Sequence, residues 1–303
     1  MNAFPQTKPS PHGCGICGAT SARELYTARD RLRNTEHRFF IARCEGCGVL
    51  RTLPEMGDDE LAYFYPSDYW GGTPSLDWIR QSQAEKTRFL AACEVRSGRL
   101  LDVGCGAGFF LRALDPKRWD PFGVEISRAA ASAAERIIGP LRIFNGTLVE
   151  SACEDEYFDV VTFWSALEHT NEPRDQLAEA RRITKRGGTL IVQVPNAASY
   201  QARWFGGDWF ALDVPRHRYH FTAATLASLL DATGFEVYRV SFHSKAHNSH
   251  ALRQSLKARL YAPPSSALRR AAFLALIPFI RPFDFLMSAA GYGATLTVAA
   301  RAV

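Results

Sequence analysis

Short apolar runs alternate with helical patterns over most of the chain. Runs with the length of buried strands occur at residues 100–103, 121–125, 141–144, 158–164, 189–196, 236–243 and 295–303. Apolar spacing typical of helices occurs between them, at residues 75–92, 127–138, 175–183 and 222–233. Strands that alternate with helices indicate a parallel sheet covered by helices. The pattern therefore predicts an α/β fold.

A glycine-rich turn lies between the first of these strands and the next apolar stretch. The segment LLDVGCGAGFF places Gly104, Gly106 and Gly108 where the strand should give way to a helix. Glycine permits tight backbone geometry and lets a ligand approach the peptide groups, and the helix start offers free N–H donors. We therefore expect a ligand cradle at this turn.

Two acids distinguish this cradle from a dinucleotide site. The dinucleotide fingerprint is G-x-G-x-x-G, whereas here the glycines alternate and Asp102 stands two residues before the first of them. A carboxylate at Asp102 would repel a phosphate but attract a cation or an ammonium group. The next apolar run ends in Glu125, which could accept the hydroxyls of a ribose. The ligand should thus carry a ribose and a positive charge.

These motifs resemble those of the class I S-adenosylmethionine (SAM) dependent methyltransferases. The match includes D-x-G-x-G-x-G, the acid that ends the second strand, and Ser165, Glu168 and His169 after the fourth strand. The resemblance implies a Rossmann-like, seven-stranded sheet whose last strand lies between the fifth and the sixth. It implies SAM contacts by Asp102, Gly104, Cys105, Gly106, Gly108, Glu125, Ile126, Thr147, Leu148, Ser165 and Glu168.

One position departs from the family pattern. The loop NGTLVE holds the place where this fold usually contacts adenine, often with an acid after the glycine. Here that position is Thr147. We expect a backbone contact around Thr147 and Leu148 in place of a side-chain contact.

Four of the seven cysteines form two C-x-x-C pairs, Cys14 with Cys17 and Cys44 with Cys47. Two such pairs can place four thiolates around Zn²⁺ in its preferred tetrahedron, and glycines follow each pair. We predict a small zinc-ribbon-like module over residues 13–52, with a structural zinc. Redox or disulfide pairing and incidental cysteines are the alternatives.

Composition sets weak limits on the partners. The chain has 303 residues and a net charge of +5, without a run of Lys and Arg that would indicate nucleic-acid binding. The charge permits an anionic substrate or a membrane surface. Residues 1–12 are polar and proline-rich without the apolar core of a signal peptide, so we expect a disordered start and a cytoplasmic protein.

An aromatic linker, with a leading helix, is predicted over residues 53–98. Its aromatic side chains could pack the zinc module onto the main domain. In methyltransferases with such a module, a similar segment lies near the cofactor. Tyr65 and Tyr69 are therefore candidate substrate contacts.

A second aromatic segment, residues 200–221, interrupts the alternation of strands and helices. Aromatic surface beside basic side chains suits a ring or sugar that bears an anionic group. The candidate substrate-binding residues are Trp209, Arg216, Arg218 and Tyr219. A neutral His217 or His220 could remove a proton from a hydroxyl, with His169 as a further candidate. The alternative is a rigid loop whose histidines cap the next helix.

The methyltransferase domain is predicted over residues 99–303, with an insertion at about 245–291. Within the insertion, residues 268–287 are apolar, basic at the edges and broken by Pro278 and Pro282. The uninterrupted apolar run is too short to span a bilayer. This segment could be core, an oligomer contact or a peripheral membrane contact.

The resemblance implies methyl transfer from SAM to a small-molecule acceptor, such as a sugar, a lipid-linked glycan or a natural-product intermediate. The acceptor atom, oxygen, nitrogen or carbon, stays open. Two alternatives are a nonenzymatic SAM-binding protein of the same fold and a nicotinamide-dependent oxidoreductase.

Overall fold

The computed structural model describes residues 13–32, 35, 37–57, 60–61, 63–64, 75–245, 247–260 and 267–303. Tyr65 and Tyr69 lie outside these residues. Eleven strands occur in the described part: β1 (Ala22–Arg29), β2 (Arg38–Cys44), β3 (Leu50–Leu53), β4 (Gly98–Val103), β5 (Trp119–Glu125), β6 (Ile143–Asn145), β7 (Phe158–Trp164), β8 (Thr184–Pro195), β9 (Tyr219–His220), β10 (Phe235–Ser241) and β11 (Thr295–Ala302).

Nine α-helices occur in the same described residues. They are α1 (Leu76–Ser82), α2 (Ala84–Ala91), α3 (Phe109–Ala113), α4 (Arg128–Ile138), α5 (Pro173–Ile183), α6 (Tyr200–Phe205), α7 (Ala223–Asp231), α8 (His247–Leu260) and α9 (Ala267–Ala289). Four short 3₁₀ turns, Pro140–Arg142, Leu167–His169, Gly206–Asp208 and Phe210–Leu212, lie between them.

The chain divides into two compact units, each discontinuous in sequence. One, the cysteine unit, contains the described residues of Met1–Pro66 with Pro195–Leu226 and Ser241–Leu296. The other, the sheet unit, contains those of Ser67–Val194 with Ala227–Val240 and Thr297–Val303. The sequence predicted continuous segments in their place.

Seven strands form the sheet of the sheet unit, in the order β10-β11-β8-β7-β4-β5-β6. The predicted α/β fold and the position of the last strand, between β8 and β10, are confirmed. β4 pairs in parallel with both β5 and β7. It is therefore central, and its buried residues, such as Leu100 and Leu101, explain the continuous apolar run in the sequence.

The core of the sheet unit packs helices against this sheet. Phe110 and Leu111 of α3, Ala131 and Ala134 of α4 and Trp164 of β7 belong to one buried cluster. Ser127 is the N-cap of α4, because its hydroxyl accepts a hydrogen bond from the backbone N–H of Ala130. The small alanines of α4 allow close approach of the helix to the glycine turn.

The cysteine unit has a four-stranded sheet of its own, in the order β1-β2-β3-β9. β9 pairs antiparallel with β3, so that Leu50 lies opposite His220 and Arg51 opposite Tyr219. The core of this unit contains Phe39, Ile41 and Trp209. Of the candidate histidines, His220 thus lies in a strand of the cysteine-bearing sheet, and His217 lies just before that strand.

Helices differ from prediction at two places. α5 ends at Ile183, as predicted, but the helix predicted over residues 75–92 is two helices, α1 and α2. α9 continues through Pro278 and Pro282, which were predicted to break it. No helix in the described part of the chain is long and apolar enough to cross a membrane.

Candidate functional site

The glycine turn joins β4 to α3 through left-handed backbone. Gly104, Gly106 and Gly108 have φ of 72°, 55° and 77°, a region that side-chain-bearing residues rarely adopt. The backbone N–H groups of Gly104 and Cys105 donate to the carbonyl oxygen of Val124 at 2.8 and 3.1 Å. These bonds hold the turn against the end of β5.

Close packing gives a second reason for glycine at two of these positions. A Cβ atom at Gly104 would lie 2.7 Å from the Cβ of Ala166, and one at Gly108 would lie 3.1 Å from the Cβ of Ala134. Cys105 turns its side chain inward, because a Cβ at Gly123 would lie 2.6 Å from its sulfur. Any contact between Cys105 and a cofactor would therefore come from its backbone.

Glu125 ends β5 next to this turn and is 4% exposed. Its carboxylate accepts hydrogen bonds from the backbone N–H groups of Gly106 and Ser127, both at 2.8 Å. Burial raises the pKa of Glu125, and these two hydrogen bonds oppose the shift. Because each carboxylate oxygen has two lone pairs, both oxygens can accept a further hydroxyl.

Asp102 lies on β4, in register with Gly123 of β5 and Thr162 of β7. Its side chain accepts a hydrogen bond from the Thr162 hydroxyl at 2.7 Å. Burial raises the pKa of Asp102 to about 7, against the attraction of Lys86 and the Thr162 hydrogen bond. This buried carboxylate would be stabilised by a cationic ligand.

Lys86 is a site residue that sequence reasoning missed. Its ammonium group lies 5.5 Å from the ring centre of Trp164 and 6.0 Å from that of Phe110. Burial beside these rings lowers the pKa of Lys86, and the attraction of Asp102 opposes the shift. Its position on α2, preceding β4, carries no local motif that could have revealed it.

The edge of the sheet unit collects further predicted cofactor contacts. Ser165 follows β7 with φ of 55°, a strained conformation for a residue with a side chain, and its N–H donates to the carbonyl of Gln193. Ile126 follows Glu125 and is 65% exposed. Ser165 and Ile126 therefore both directly follow strands, at the carboxyl ends of the strands where ligands bind in such sheets.

The loop predicted to contact adenine is internally bonded. Both the N–H and the hydroxyl of Thr147 donate to the carboxylate of Glu150 at 2.8 Å, and Leu148 is buried. In the turn after β7, Glu168 is buried and His169 is half-buried. The predicted cofactor roles of Thr147, Leu148 and Glu168 stay predictions, as does the predicted catalytic role of His169.

The candidate histidines lie in the cysteine unit and are both buried. His217 Nδ1 lies 3.1 Å from the Ala211 carbonyl oxygen, which can only accept, so this nitrogen carries the proton. The Thr52 hydroxyl donates to the carbonyl of His217 at 2.7 Å and therefore accepts at 2.9 Å from His220 Nε2. We assign Nε2 of His217 and Nδ1 of His220 as the unprotonated nitrogens.

Burial keeps both imidazoles neutral. It lowers the pKa of His217 and of His220 to about 4, against the attraction of Asp213. His220 Nδ1 has no hydrogen-bond partner within the described residues. Both rings can thus accept a proton at neutral pH, but as weak bases.

The four predicted substrate-binding residues in the described part have contacts within the cysteine unit. Arg216 is fully buried and pairs with Asp30 at 2.8 Å and with Asp213 at 2.6 Å. Trp209 is buried and its indole N–H donates to Gln201. Further, Arg218 donates to the carbonyl of Met56, and the Tyr219 hydroxyl accepts from the N–H of Gly15. These contacts favour the alternative of a rigid loop, and the substrate contacts stay predictions.

The four predicted metal ligands come together. All four sulfurs lie within 4.8 Å of one another, with 3.8 Å between Cys14 and Cys47 and 3.5 Å between Cys17 and Cys44. A tetrahedron with Zn–S bonds of about 2.3 Å has sulfurs about 3.8 Å apart, so the spacing fits zinc. Gly18 and Gly48 follow the two pairs with φ near 75°, as knuckle turns require.

Comparison with known proteins identifies the family of this chain. Residues 77–240 match the family described as "Methyltransferase domain". The matched range contains the glycine turn, both carboxylates and the candidate histidines.

Individual relatives are distant. A ubiquinone biosynthesis O-methyltransferase of Methylococcus capsulatus is 26% identical over 55% of this chain and 74% of its own length. A protein of Mycolicibacterium smegmatis, named as a SAM-dependent methyltransferase, is 25% identical over 53% of this chain, which spans only 60% of that relative. The crystal structure of a SAM-dependent methyltransferase from Mesorhizobium loti has a TM-score of 0.50 at 18% identity, covering 75% of this chain and all of that one.

The raised pKa of Asp102 predicts a stability effect in the ligand-free protein. Because its folded pKa of about 7 exceeds the ordinary value of 3.8, its favourable contribution is complete below about pH 3.8 and is lost progressively as pH rises to about 7. Asp102→Asn should remove this loss, since the amide oxygen can still accept from Thr162. We expect the variant to gain more unfolding temperature over the wild type at about pH 8 than at about pH 5.

Thermal unfolding at the two pH values, followed by circular dichroism, measures this difference. Asp120→Asn is the matched control, because Asp120 lies on β5 of the same sheet, is only half-buried and pairs with Arg142. An equal shift of the Asp102 variant at both pH values would contradict the assigned burial of charge.

Proposed function

Since the chain belongs to the SAM-dependent methyltransferases, we propose that it transfers the methyl group of SAM to a small-molecule acceptor, with SAM held by Asp102 and Glu125 above the glycine turn. One observation carries the proposal: two buried carboxylates end neighbouring parallel strands at that turn. Family membership favours methyl transfer over the two alternatives, a nonenzymatic SAM-binding protein of the same fold and a nicotinamide-dependent oxidoreductase.

The residues at this edge fit the chemistry of SAM. Glu125 would accept the ribose hydroxyls, and Asp102 would pair with the ammonium group of the methionine portion. Lys86, close to Asp102, is suited to the carboxylate of that portion. When bound, SAM supplies a methyl group activated by a positively charged sulfur. The contribution of the chain is to hold the two reactants in line and to accept a proton from the acceptor.

The candidate bases are His217 and His220, with His169 as a third. Their support is the neutral state of the two buried imidazoles and the defined unprotonated nitrogen of each. The acceptor should be small, and sugars, lipid-linked glycans and natural-product intermediates stay the candidate classes. One relative is named as a ubiquinone biosynthesis O-methyltransferase, which supports oxygen as the acceptor atom.

We further propose a structural zinc bound by Cys14, Cys17, Cys44 and Cys47. Its support is the sulfur spacing and the paired knuckle turns. Because all four positions of the tetrahedron would be filled by protein, the metal would stabilise the fold of the cysteine unit and take no part in the reaction.

Glu125→Ala should weaken SAM binding by about 1.5–3 kcal/mol, because hydrogen bonds to a charged acceptor have this strength. Isothermal titration calorimetry with SAM measures it. Asp120→Ala, at the amino end of the same strand, is the control and should leave the affinity unchanged. Equal affinities of the Glu125 variant and the wild type would refute the proposed ribose contact.

Protein purified without chelator should contain about one zinc per chain, and Cys44→Ser should lower that content. Elemental analysis gives the content, and limited proteolysis reports whether the cysteine unit loses its fold. Cys153→Ser is the control, because Cys153 lies outside the four-sulfur cluster. Metal-free wild-type protein with an intact fold would exclude the structural zinc.

Loss of the catalytic base should lower turnover by about 10²–10⁴-fold with little change in SAM affinity. The variants are His217→Ala and His220→Ala, with the exposed His243→Ala as control. The acceptor is first identified by incubating metabolite extracts with deuterium-labelled SAM. Because each histidine has a pKa of about 4, turnover should not fall on their account between about pH 9 and about pH 6.

Two results would move the base elsewhere. Near-wild-type turnover of both variants would leave His169 as the remaining candidate or would indicate an acceptor that arrives deprotonated. An acid limb near the ordinary histidine pKa of about 6.5, abolished by either substitution, would contradict the buried neutral state.

A further inference from the structure

Helix α9 of the cysteine unit presents an apolar side to solvent. Its large side chains Leu274, Phe279, Phe285 and Leu286 are 60, 67, 56 and 64% exposed. Such exposure is unusual for four large apolar residues of one helix, since soluble surfaces rarely contain contiguous apolar patches of this kind. Core packing, one of the roles predicted for this segment, does not apply to these four side chains.

The exposed residues form one coherent face. Ile280, Asp284 and Ser288 are buried and recur every four residues, so they mark the side of α9 that packs on the cysteine unit. The helical positions opposite to them contain apolar residues alone. We call these positions the apolar face of α9: Leu274, Ala275, Pro278, Phe279, Pro282, Phe285, Leu286 and Ala289, all exposed.

Positive charge is concentrated in the same part of the chain. Residues 245–291 contain seven Lys and Arg and one acid, Asp284, a net charge of +6 against +5 for the whole chain. The single acid is buried and bonded to Tyr200 and Gln201. The charge that this segment exposes is therefore entirely positive.

Basic side chains lie beside the apolar face. The ring of Trp204, which is 58% exposed, stacks on Phe283 of α9 with ring centres 5.6 Å apart. The guanidinium of Arg259 donates to the carbonyl of Trp204 at 2.9 Å. Arg203, adjacent to Trp204, lies 5.7 Å from the ring of Tyr292. An exposed tryptophan with cations around it thus flanks the helix.

We propose that the apolar face of α9 binds the surface of an anionic bilayer, with the helix lying in the plane of the interface. An interfacial helix needs an apolar face that enters the acyl boundary, an aromatic side chain at the headgroup level and cations toward anionic headgroups. α9 and its neighbours Trp204, Arg203 and Arg259 provide all three. The excess of positive charge favours lipid over a second copy of this chain, because two such faces would repel each other.

Vesicle flotation with the full chain tests the proposal. The probes are vesicles of phosphatidylcholine alone and vesicles with about 30% phosphatidylglycerol, at about 0.1 M and about 0.5 M salt. We expect binding to the anionic vesicles at low salt, with at least tenfold weaker binding to the neutral ones and at high salt. Binding that is equal for both lipids would overturn the electrostatic part of the proposal.

Surface variants separate the apolar contribution to vesicle binding from the electrostatic one. Phe279→Ser with Leu286→Ser should weaken vesicle binding by at least tenfold, since both side chains would leave the acyl boundary. Arg259→Gln and Arg281→Gln should each weaken it by about fivefold, which corresponds to about 1 kcal/mol per basic residue near an anionic surface. Because all four side chains are exposed or at the surface, unfolding temperatures should stay those of the wild type.

Matched controls come from the sheet unit. Leu141→Ser removes a leucine that is 93% exposed, and Arg186→Gln removes an exposed arginine; both should leave vesicle binding unchanged. Light scattering after size exclusion tests self-association. A dimer that Phe279→Ser with Leu286→Ser dissociates, in a protein that does not float with anionic vesicles, would overturn the proposal in favour of an interface between copies. So would a monomer that does not float.

Discussion

Two carboxylates buried at the ends of neighbouring strands are the constraint on which the sheet unit depends. An ionised acid at 3 or 4% exposure is costly unless donors compensate it, and the donors here are backbone N–H groups and one hydroxyl. Gly106, whose backbone is left-handed, donates its N–H to Glu125. Three features thus act together to hold the two carboxylates: the glycine turn, the parallel register of β4 with β5, and Thr162 of β7.

The hydrogen bonds and the ammonium group near Asp102 compensate only part of the cost of burying its charge. A cationic ligand could compensate the rest. The pKa of Asp102 stays near 7 although Thr162 and Lys86 both favour its charged form. A cation that binds beside Asp102 therefore gains an attraction that water cannot screen well. The same imbalance destabilises the ligand-free protein at neutral pH, so under the proposed contact with SAM, ligand affinity and ligand-free stability conflict at Asp102.

The features that could be predicted from the sequence are those that depend on a few neighbouring residues. Glycines with positive φ, strand-ending acids and C-x-x-C knuckles each have a signature a few residues long, and the turn and the four-sulfur cluster followed from them. The order of the strands in the sheet came from the family resemblance. Lys86 has no such signature, because its role depends on Trp164 and Asp102, which reach it through the fold. The tautomer of His220 depends on Thr52, 168 residues away in the chain. The continuous α9 escaped prediction because proline disfavours a helix interior, and packing of Ile280 and Asp284 overrides that preference here.

A buried charge in the cysteine unit is fully compensated, unlike the buried carboxylates beside the glycine turn. Arg216 is fully buried, but two carboxylates, Asp30 and Asp213, and the carbonyl of Phe64 satisfy its guanidinium. Removing the guanidinium would take this ion pair from two carboxylates at once, so the ion pairs hold the segment rigidly although it has little regular structure. A rigid segment keeps His217 and His220 in fixed positions and dry surroundings, which is why their pKa values are low. The buried contacts that would orient a histidine base thus also lower its pKa and make it a weaker base. Such a base suits an acceptor that is acidic enough to lose its proton to a weak base.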